Sequence, residues 1–460
     1  MIYSKTIIEI EFIEDRKTKK THLFGNVKKK VYFWIVKQHL KDMKALQQLI
    51  LCALVCLFTG LNVNAQNDDK SYITISGVVK DRLSRQALPY VNISVINQET
   101  ATVTNSDGEF TLKIPQTGSE IEILLAQIGY HSSRIKIQGN DTGKRVIWLS
   151  PSSMVLKEVI VQGYEPRALV RDALEKIPQN YDQQSRLLTG FYRETAKKRR
   201  HFINLSEAII SIYKTNYKIS EVSHDKVGVM KGRKLVSTKV SDTLAVKLIG
   251  GPNIATHLDV VKNPNIILSI EDMDNYEYHM DEITSINGRL QYVVNFMPRR
   301  ELPYALYFGK MYIDQERLSF TRVEFSLDLS DRIKAIQAIL RKKPAGLRFR
   351  PQEVSLHVDY TEHDGVSYLS YVRDVIRFRC DWNKKLFHTS YTVTAEMVVT
   401  DRKPGQSSDI ARKDRFSDFA VLSDNVSTFY DENFWGPYNI IQPEEDLDKA
   451  IERLKKQYKP

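Results

Sequence analysis

The stretch that decides the fold runs from Ile73 to Pro115, ITISGVVKDRLSRQALPYVNISVINQETATVTNSDGEFTLKIP, and continues to LLAQIGYHSSRIKI, residues 124–137. Within its short runs Ile75, Val91, Ile93, Val95, Phe110, Leu112 and Ile114 recur at spacing two, the period of half-buried strands. Turn residues separate the runs: Asp81, Leu88-Pro89, Asn105-Ser106-Asp107-Gly108, Pro115 and Gly129. Asp107-Gly108 between two alternating runs is a hairpin signal, because glycine accepts the positive φ such a turn demands. Phe110 follows in phase to enter a core. This pattern predicts a small antiparallel β-sandwich of about seven strands over 73–150.

Four ordered motifs in this stretch carry a resemblance. Ile75-Ser76-Gly77-Val78-Val79, Leu88-Pro89-Tyr90-Val91-Asn92-Ile93-Ser94-Val95, Thr104-Asn105-Ser106-Asp107-Gly108-Glu109-Phe110 and Ile128-Gly129-Tyr130 resemble the carboxypeptidase-regulatory-like domain. The resemblance implies a transthyretin-like sandwich in which Gly77, Pro89, Asp107, Gly108, Phe110, Gly129 and Tyr130 are structural. It implies an accessory module, found in gram-negative outer-membrane proteins and without the zinc chemistry of carboxypeptidases. Two positions depart from the family pattern: Asn105, where an acidic residue is common, and Ala126, where a small hydroxyl residue is common.

Upstream, residues 43–65 read MKALQQLILCALVCLFTGLNVNA. Lys44 opens it, Leu49 to Leu61 form an apolar run, and Val63 and Ala65 supply small residues before Gln66. That is the pattern of a secretory signal peptide cleaved between Ala65 and Gln66, placing the protein in the periplasm or at the outer membrane. Residues 1–42 precede it with ten Lys/Arg against five Asp/Glu. They are expected to be an unpacked extension from an upstream start choice, with Met43 the true start; the alternative is an unusually long, basic n-region around Lys28-Lys29-Lys30. The net charge of +11 falls to +5 over residues 66–460, too mild and too dispersed for a nucleic-acid partner. Cys380 is the single cysteine after Gln66, so no internal disulfide is expected there.

Downstream, Leu156-Lys157-Glu158-Val159-Ile160-Val161 reads as a strand. In proteins that share the resemblance, such a strand leads into the plug of a TonB-dependent transporter. The remaining chain is too short for a plug and a large barrel, which argues against a complete transporter. ALVRDALEKIPQNY follows, where Leu169, Val170, Ala173, Leu174 and Ile177 recur at helical spacing between Pro166 and Pro178. Residues 151–182 are therefore a linker strand and helix.

Residues 183–460 alternate over many neighbouring runs. Phe387, Thr389, Tyr391, Val393, Ala395, Met397 and Val399 share one face. Val354, Leu356, Val358 and Tyr360 alternate with Glu353, Ser355, His357 and Asp359. This predicts a large antiparallel curved sheet with one dry and one wet face. Covering elements are expected at Ser330–Leu340, with Ile333, Ile336 and Ile339 as its apolar face, and in a C-terminal helix over 443–457 bearing Leu447, Ala450, Ile451 and Leu454. The fold class is mainly β, and the whole arrangement resembles exported proteins that join a regulatory-like sandwich to a β-rich domain of unknown function.

Chemistry is sparse. No His-Glu-x-x-His pair occurs, and the densest candidate, His357, Asp359, Glu362 and His363, reads as solvated sheet-face residues. There is no nucleophile elbow. Cys380 follows Arg377 and Arg379, which would favour a thiolate, but it reads as a strand cysteine. The basic runs Lys197–Arg200 and Arg341–Lys343 are solvated loops or contacts for outer-membrane lipid or lipopolysaccharide. The expected function is an exported, non-enzymatic accessory or binding protein that engages an envelope partner through its sandwich, with no metal and no cofactor. The alternatives are a periplasmic carrier whose hydrophobic ligand is lined by Tyr391, Val393 and Met397, and a hydrolase.

Overall fold

The computed structural model describes residues 72–458 except 117–119, 138–142, 153–163, 219–223, 243, 245, 249, 383–387, 408, 419 and 429–430. Segments 1–42 and 43–65, the cleavage pair Ala65 and Gln66, the strand at 156–161 and Phe387 lie outside the described residues.

The alternating runs of the opening stretch form β1 (Tyr72–Asp81), β2 (Asn92–Val95), β3 (Ala101–Val103), β4 (Glu109–Pro115), β5 (Ile121–Ala126), β6 (Ser133–Ile137) and β7 (Arg145–Leu149). They make two sheets, β4-β1-β7 and β3-β2-β5-β6. Ile75, Val79, Ile93, Phe110, Leu112, Ile123 and Leu125 fill the space between them. The pairing is not wholly antiparallel, because β7 returns beside β1 in parallel.

The turn at 105–108 is present, with Gly108 at φ +73° and its N–H donating to Asn105 O. It does not close a hairpin ladder. β3 and β4 part into opposite sheets, so the turn carries the chain across the sandwich. Gly77 lies under the Phe110 ring, and a Cβ there would meet it at 2.7 Å. Tyr130 donates to Asp81 Oδ2 at 2.8 Å, and burial with that carboxylate pushes the phenol up to about 12.

The second body opens with α1 (Pro166–Glu175) and α2 (Ile177–Asn180), then β8 (Arg186–Lys198), β9 (His201–Lys214), β10 (Lys226–Val236), β11 (Lys247–Leu248) and α3 (Pro252–His257). It continues with β12 (Tyr276–Met280), β13 (Thr284–Ile286), β14 (Arg289–Pro298), β15 (Tyr307–Asp314), β16 (Phe320–Leu327), α4 (Arg332–Ile339) and β17 (Leu340–Lys342). The long strands β18 (Leu347–His363), β19 (Val366–Trp382) and β20 (Thr389–Pro404) follow, then α5 (Leu422–Asn425), β21 (Ser427–Thr428) and α6 (Glu445–Lys455). The main sheet has the order β12-β14-β15-β16-β18-β19-β20-β8-β9-β10-β21. It is antiparallel except at its end, where β21 joins β10 in parallel. Asn287-Gly288 and Asp364-Gly365, all at positive φ, make the tight turns that set the β13–β14 and β18–β19 registers. Bulges at Ala196/Lys197 and Val399/Asp401 bend the strands they interrupt.

The apolar face is covered as its alternation requires. Leu169, Val170, Ala173 and Leu174 of α1 and Ala335 and Ile339 of α4 pack into one core with Tyr391, Ala395, Met397 and Val399. The expected face of α4 is rotated, however, for Ile333 is 70% exposed and Ala335 is buried instead. The cover is pinned to the sheet by Asp259, which is fully buried and accepts from Tyr217 Oη at 2.8 Å and Tyr360 Oη at 2.7 Å and pairs with Lys214 Nζ at 2.8 Å.

The other face is not the wet surface its polar residues suggest. The sandwich and the C-terminal segment lie on it. Val103 and Tyr90 pack there with Phe191, Ile209, Tyr371, Val398, Trp435 and Ile441. The C-terminal helix α6 also sits on this face rather than over the dry one, against Phe202, Leu205 and Leu235.

Candidate functional site

The site is built from one register row. His279, Asn295, Lys310, Glu324, His357, Arg373, Glu396, Arg193, Glu207 and Arg233, one from each strand from β12 to β10, are direct cross-strand partners in that order. Each sits in the polar phase of its own strand. The pairing of the sheet turns separate alternations into a single line of polar and charged groups, in which opposite charges on adjacent strands attract.

One end of the row is sealed. Glu207 is fully buried and accepts from Arg193 Nε at 2.9 Å and Arg233 Nε at 2.9 Å. Arg193 Nη2 donates to Ile441 O at 2.7 Å, and Arg233 donates to Asp431 O. Two arginines held by one carboxylate thus tether the C-terminal segment by its carbonyls. The other end is open, with His279 and Lys310 exposed to solvent.

The middle of the row lies under the sandwich. The bend at Leu88–Val91 is tied by Thr104, whose hydroxyl donates to Leu88 O at 2.7 Å and accepts from Val91 N–H at 2.9 Å. This bend holds Tyr90 at φ +58°, a left-handed conformation uncommon for a bulky side chain. The Tyr90 ring stacks on Tyr371 at 5.6 Å and lies 6.2 Å from His357. The guanidinium carbon of Arg373 lies 5.2 Å from its centroid.

Around this point Asp359 is held by Arg322, at 2.5 and 3.1 Å, and by His357 Nε2 at 2.8 Å. Burial pushes its carboxyl up, but the Arg322 guanidinium and the His357 hydrogen bond outweigh it and hold the group well below the usual range. His357 Nδ1 faces Glu324 Oε1 at 3.5 Å. Both ring nitrogens thus face carboxylates, an arrangement that fixes the ring rather than offering a nitrogen to a nucleophile.

Two pockets flank Arg373. One, of about 310 Å³, lies between the sandwich and α6 and is lined by Tyr90, Asn105, Ser106, Lys197, Arg377, Thr392, Thr394, Glu396 and Glu444 among others. The second, of about 340 Å³, is lined by Lys310, Glu324, Ser326, Ser355 and His357. Volumes of this order fall in the range of small-molecule sites.

The sequence candidates are placed as follows. His357 and Asp359 are joined, but they are half-buried rather than solvated. Glu362 instead pairs with Arg289 and Arg317, and His363 faces Glu99 at 3.6 Å. Tyr391 and Met397 are buried in the core, Tyr391 stacked on Phe378 at 5.5 Å, with Val393 packed beside them. Cys380 is buried, and burial with Asp381 nearby pushes its thiol up to about 11, away from a reactive thiolate. Lys197 alone of the basic run Lys197–Arg200 lines the pocket described above, and it lies over the Phe202 ring at 4.1 Å.

One feature escaped the sequence reading. Glu194 and Asp374 flank Ala395 in register on the apolar face. Asp374 Oδ1 is buried without a hydrogen-bond partner among the described residues, and burial pushes its carboxyl up to about 7. Burial also raises Glu194, which accepts from Tyr192 Oη at 3.3 Å. The signal was available: Asp374 falls in phase with the buried Val372 and Ile376.

Comparison with known proteins agrees with the sandwich. The CarboxypepD_reg-like domain family matches residues 75–161. Among curated proteins none matches the chain. A crystal structure of a DUF1329 family protein from Desulfovibrio piger aligns with 51% of this chain and 94% of its own, at 12% identity and a TM-score of 0.21, a likeness too slight to bear on fold or function.

Proposed function

We propose that this chain is an exported, non-enzymatic accessory or binding protein of the outer-membrane and periplasmic envelope, which engages a protein partner through its sandwich. A regulatory-like domain fits a binding or accessory role. The observation that carries the reading is how the sandwich is mounted. Asn92, Glu99, Asn105, Asp107 and Lys113 bind the large sheet and the C-terminal segment. Meanwhile Tyr72, Val146 and Trp148 on the outer side of the β4-β1-β7 sheet remain exposed, at 42, 54 and 38%. A module fixed by one set of residues and presenting aromatic and apolar side chains with another suits recognition. The signal-peptide pattern at 43–65 supports the envelope setting.

Affinity capture from solubilised envelopes, with the full chain and its Trp148→Ala/Val146→Ser variant, tests this. The variant should lose at least one partner that the parent retains. Identical capture by both, or fractionation of the protein away from the envelope, would overturn it.

A further inference from the structure

The geometry points to a binding site for the oxyanion of a small molecule, a carboxylate or a phosphate, centred on the guanidinium of Arg373. This arginine is half-buried under the sandwich, its guanidinium lying over the face of Tyr90. Among the described residues no carboxylate lies within ion-pair distance of it.

Its neighbours in the row are engaged elsewhere. Glu396 pairs with Arg193 at 3.3 Å and accepts from Tyr371 Oη at 3.2 Å. Glu324 faces His357 and Arg322. Glu444 accepts from Ser106 Oγ, with Lys197 Nζ at 3.5 Å. Burial works against the charge of Arg373, and Glu396 and Glu444 offset it from beyond ion-pair distance. A bound anion matching the planar guanidinium fork would add the direct hydrogen bonds these carboxylates do not make.

The space for such an anion is present. Arg373 is shared by both pockets, and the 310 Å³ pocket also holds the Lys197–Glu444 pair, Glu396 and the hydroxyls of Thr392 and Thr394. The Tyr90 backbone, held in the left-handed region by Thr104, brings the ring over the guanidinium and forms one wall. Tyr90 itself lines the 310 Å³ pocket, so an anion held by the guanidinium would lie beside an aromatic wall.

The inference gives chemistry to the binding role proposed above, yet it concerns a different surface from Trp148. Calorimetric titration of the full-length chain at low ionic strength, with inorganic phosphate and separately with benzoate, tests it and tells the two oxyanion chemistries apart. Saturable binding of at least one anion is expected, weakened about tenfold in Arg373→Gln and partly restored in Arg373→Lys. Lys197→Gln should weaken it about threefold, and this variant carries the test should Arg373→Gln not fold. Arg350→Gln, an arginine paired with Asp381 away from the pocket, should bind as the parent does. Absence of binding by both anions at millimolar concentration, or binding unchanged in Arg373→Gln and Lys197→Gln, would overturn the site. Neither result alters partner capture through Trp148, so the two readings fail separately.

Discussion

The carboxylate of Asp107 accepts a hydrogen bond from the backbone N–H of Glu445 at 2.8 Å. Asp107 belongs to the turn that crosses the sandwich, and Glu445 is the first residue of the C-terminal helix. The helix's own preceding residue, Glu444, makes no side-chain cap. A residue of the first domain therefore supplies the N-cap of the last element, and two parts of the chain that are remote in sequence share one cap. Asp107→Ala should cost about 1 kcal/mol, as lost caps do. Urea denaturation would read the loss, and hydrogen exchange should quicken at the first turn of α6. Unchanged protection there would show that the cap does not hold the helix.

Asn105 explains its own departure from the family pattern. Its Oδ1 accepts from the N–H groups of Asp107 and Glu109, a task an aspartate would perform equally well. Its Nδ2 donates to Pro443 O at 3.0 Å, which an aspartate cannot do. Asn105→Asp should keep the turn and lose the bridge, setting a carboxylate against a carbonyl. A loss of roughly 1–3 kcal/mol is expected in chemical denaturation. A variant as stable as the parent would mean the bridge contributes nothing.

Asp374 should make stability fall as pH rises. In the unfolded chain its carboxyl ionises from about pH 4 upward, while in the fold it remains protonated until about 7. Between those values the native state binds the extra proton, so stability declines across this window and stays reduced above it. Asp374→Asn cannot ionise. Its stability relative to the parent should be near equal at pH 4 and greater by roughly 1–3 kcal/mol at pH 8. Thermal melts at the two pH values would check this, and a difference independent of pH would reject the assignment.

Glu207 holds two arginines in a buried site. Glu207→Ala leaves both without their shared carboxylate, and a loss of roughly 3–5 kcal/mol is expected. The C-terminal segment, tethered through the same arginines, should become sensitive to limited proteolysis near Asp431 before the sandwich does.

Met397 is fully buried in the core under the large sheet. Met397→Ala should lower stability by roughly 2–5 kcal/mol. Native mass spectra of the parent should show no lipid whose occupancy the substitution changes.

Local pattern was legible where the chemistry is local. The alternation at 389–399 predicts which side chains enter the core, because strand geometry sends successive residues to opposite faces whatever the partner strand is. The buried face of α1 follows in the same way from helical spacing. The hairpin reading of Asp107-Gly108 failed for a related reason. A turn's φ preference constrains four residues, but whether the strands it joins stay paired depends on the two sheets around them.

The candidate site was legible only in pieces. His357 and Asp359 were visible as polar-phase neighbours on one strand. Glu396 was visible only as a polar-phase residue of its own strand, and its meeting with Arg193 was not, because the two come together only when β8 closes on β20, some 200 residues apart in the chain.

By itself, then, the sequence determined the strand periods, the sandwich and its turn glycines, the apolar face of the large sheet and the amphipathic helices. All of these are consequences of side-chain direction and backbone freedom over a few residues. Tertiary structure alone decided the register row, the burial of its centre beneath Tyr90 and the placement of α6 on the polar face. These depend on which distant strands pair and on which surface the sandwich covers. They determine whether a charge meets water, a counter-ion or an aromatic ring, and therefore what Arg373 can bind.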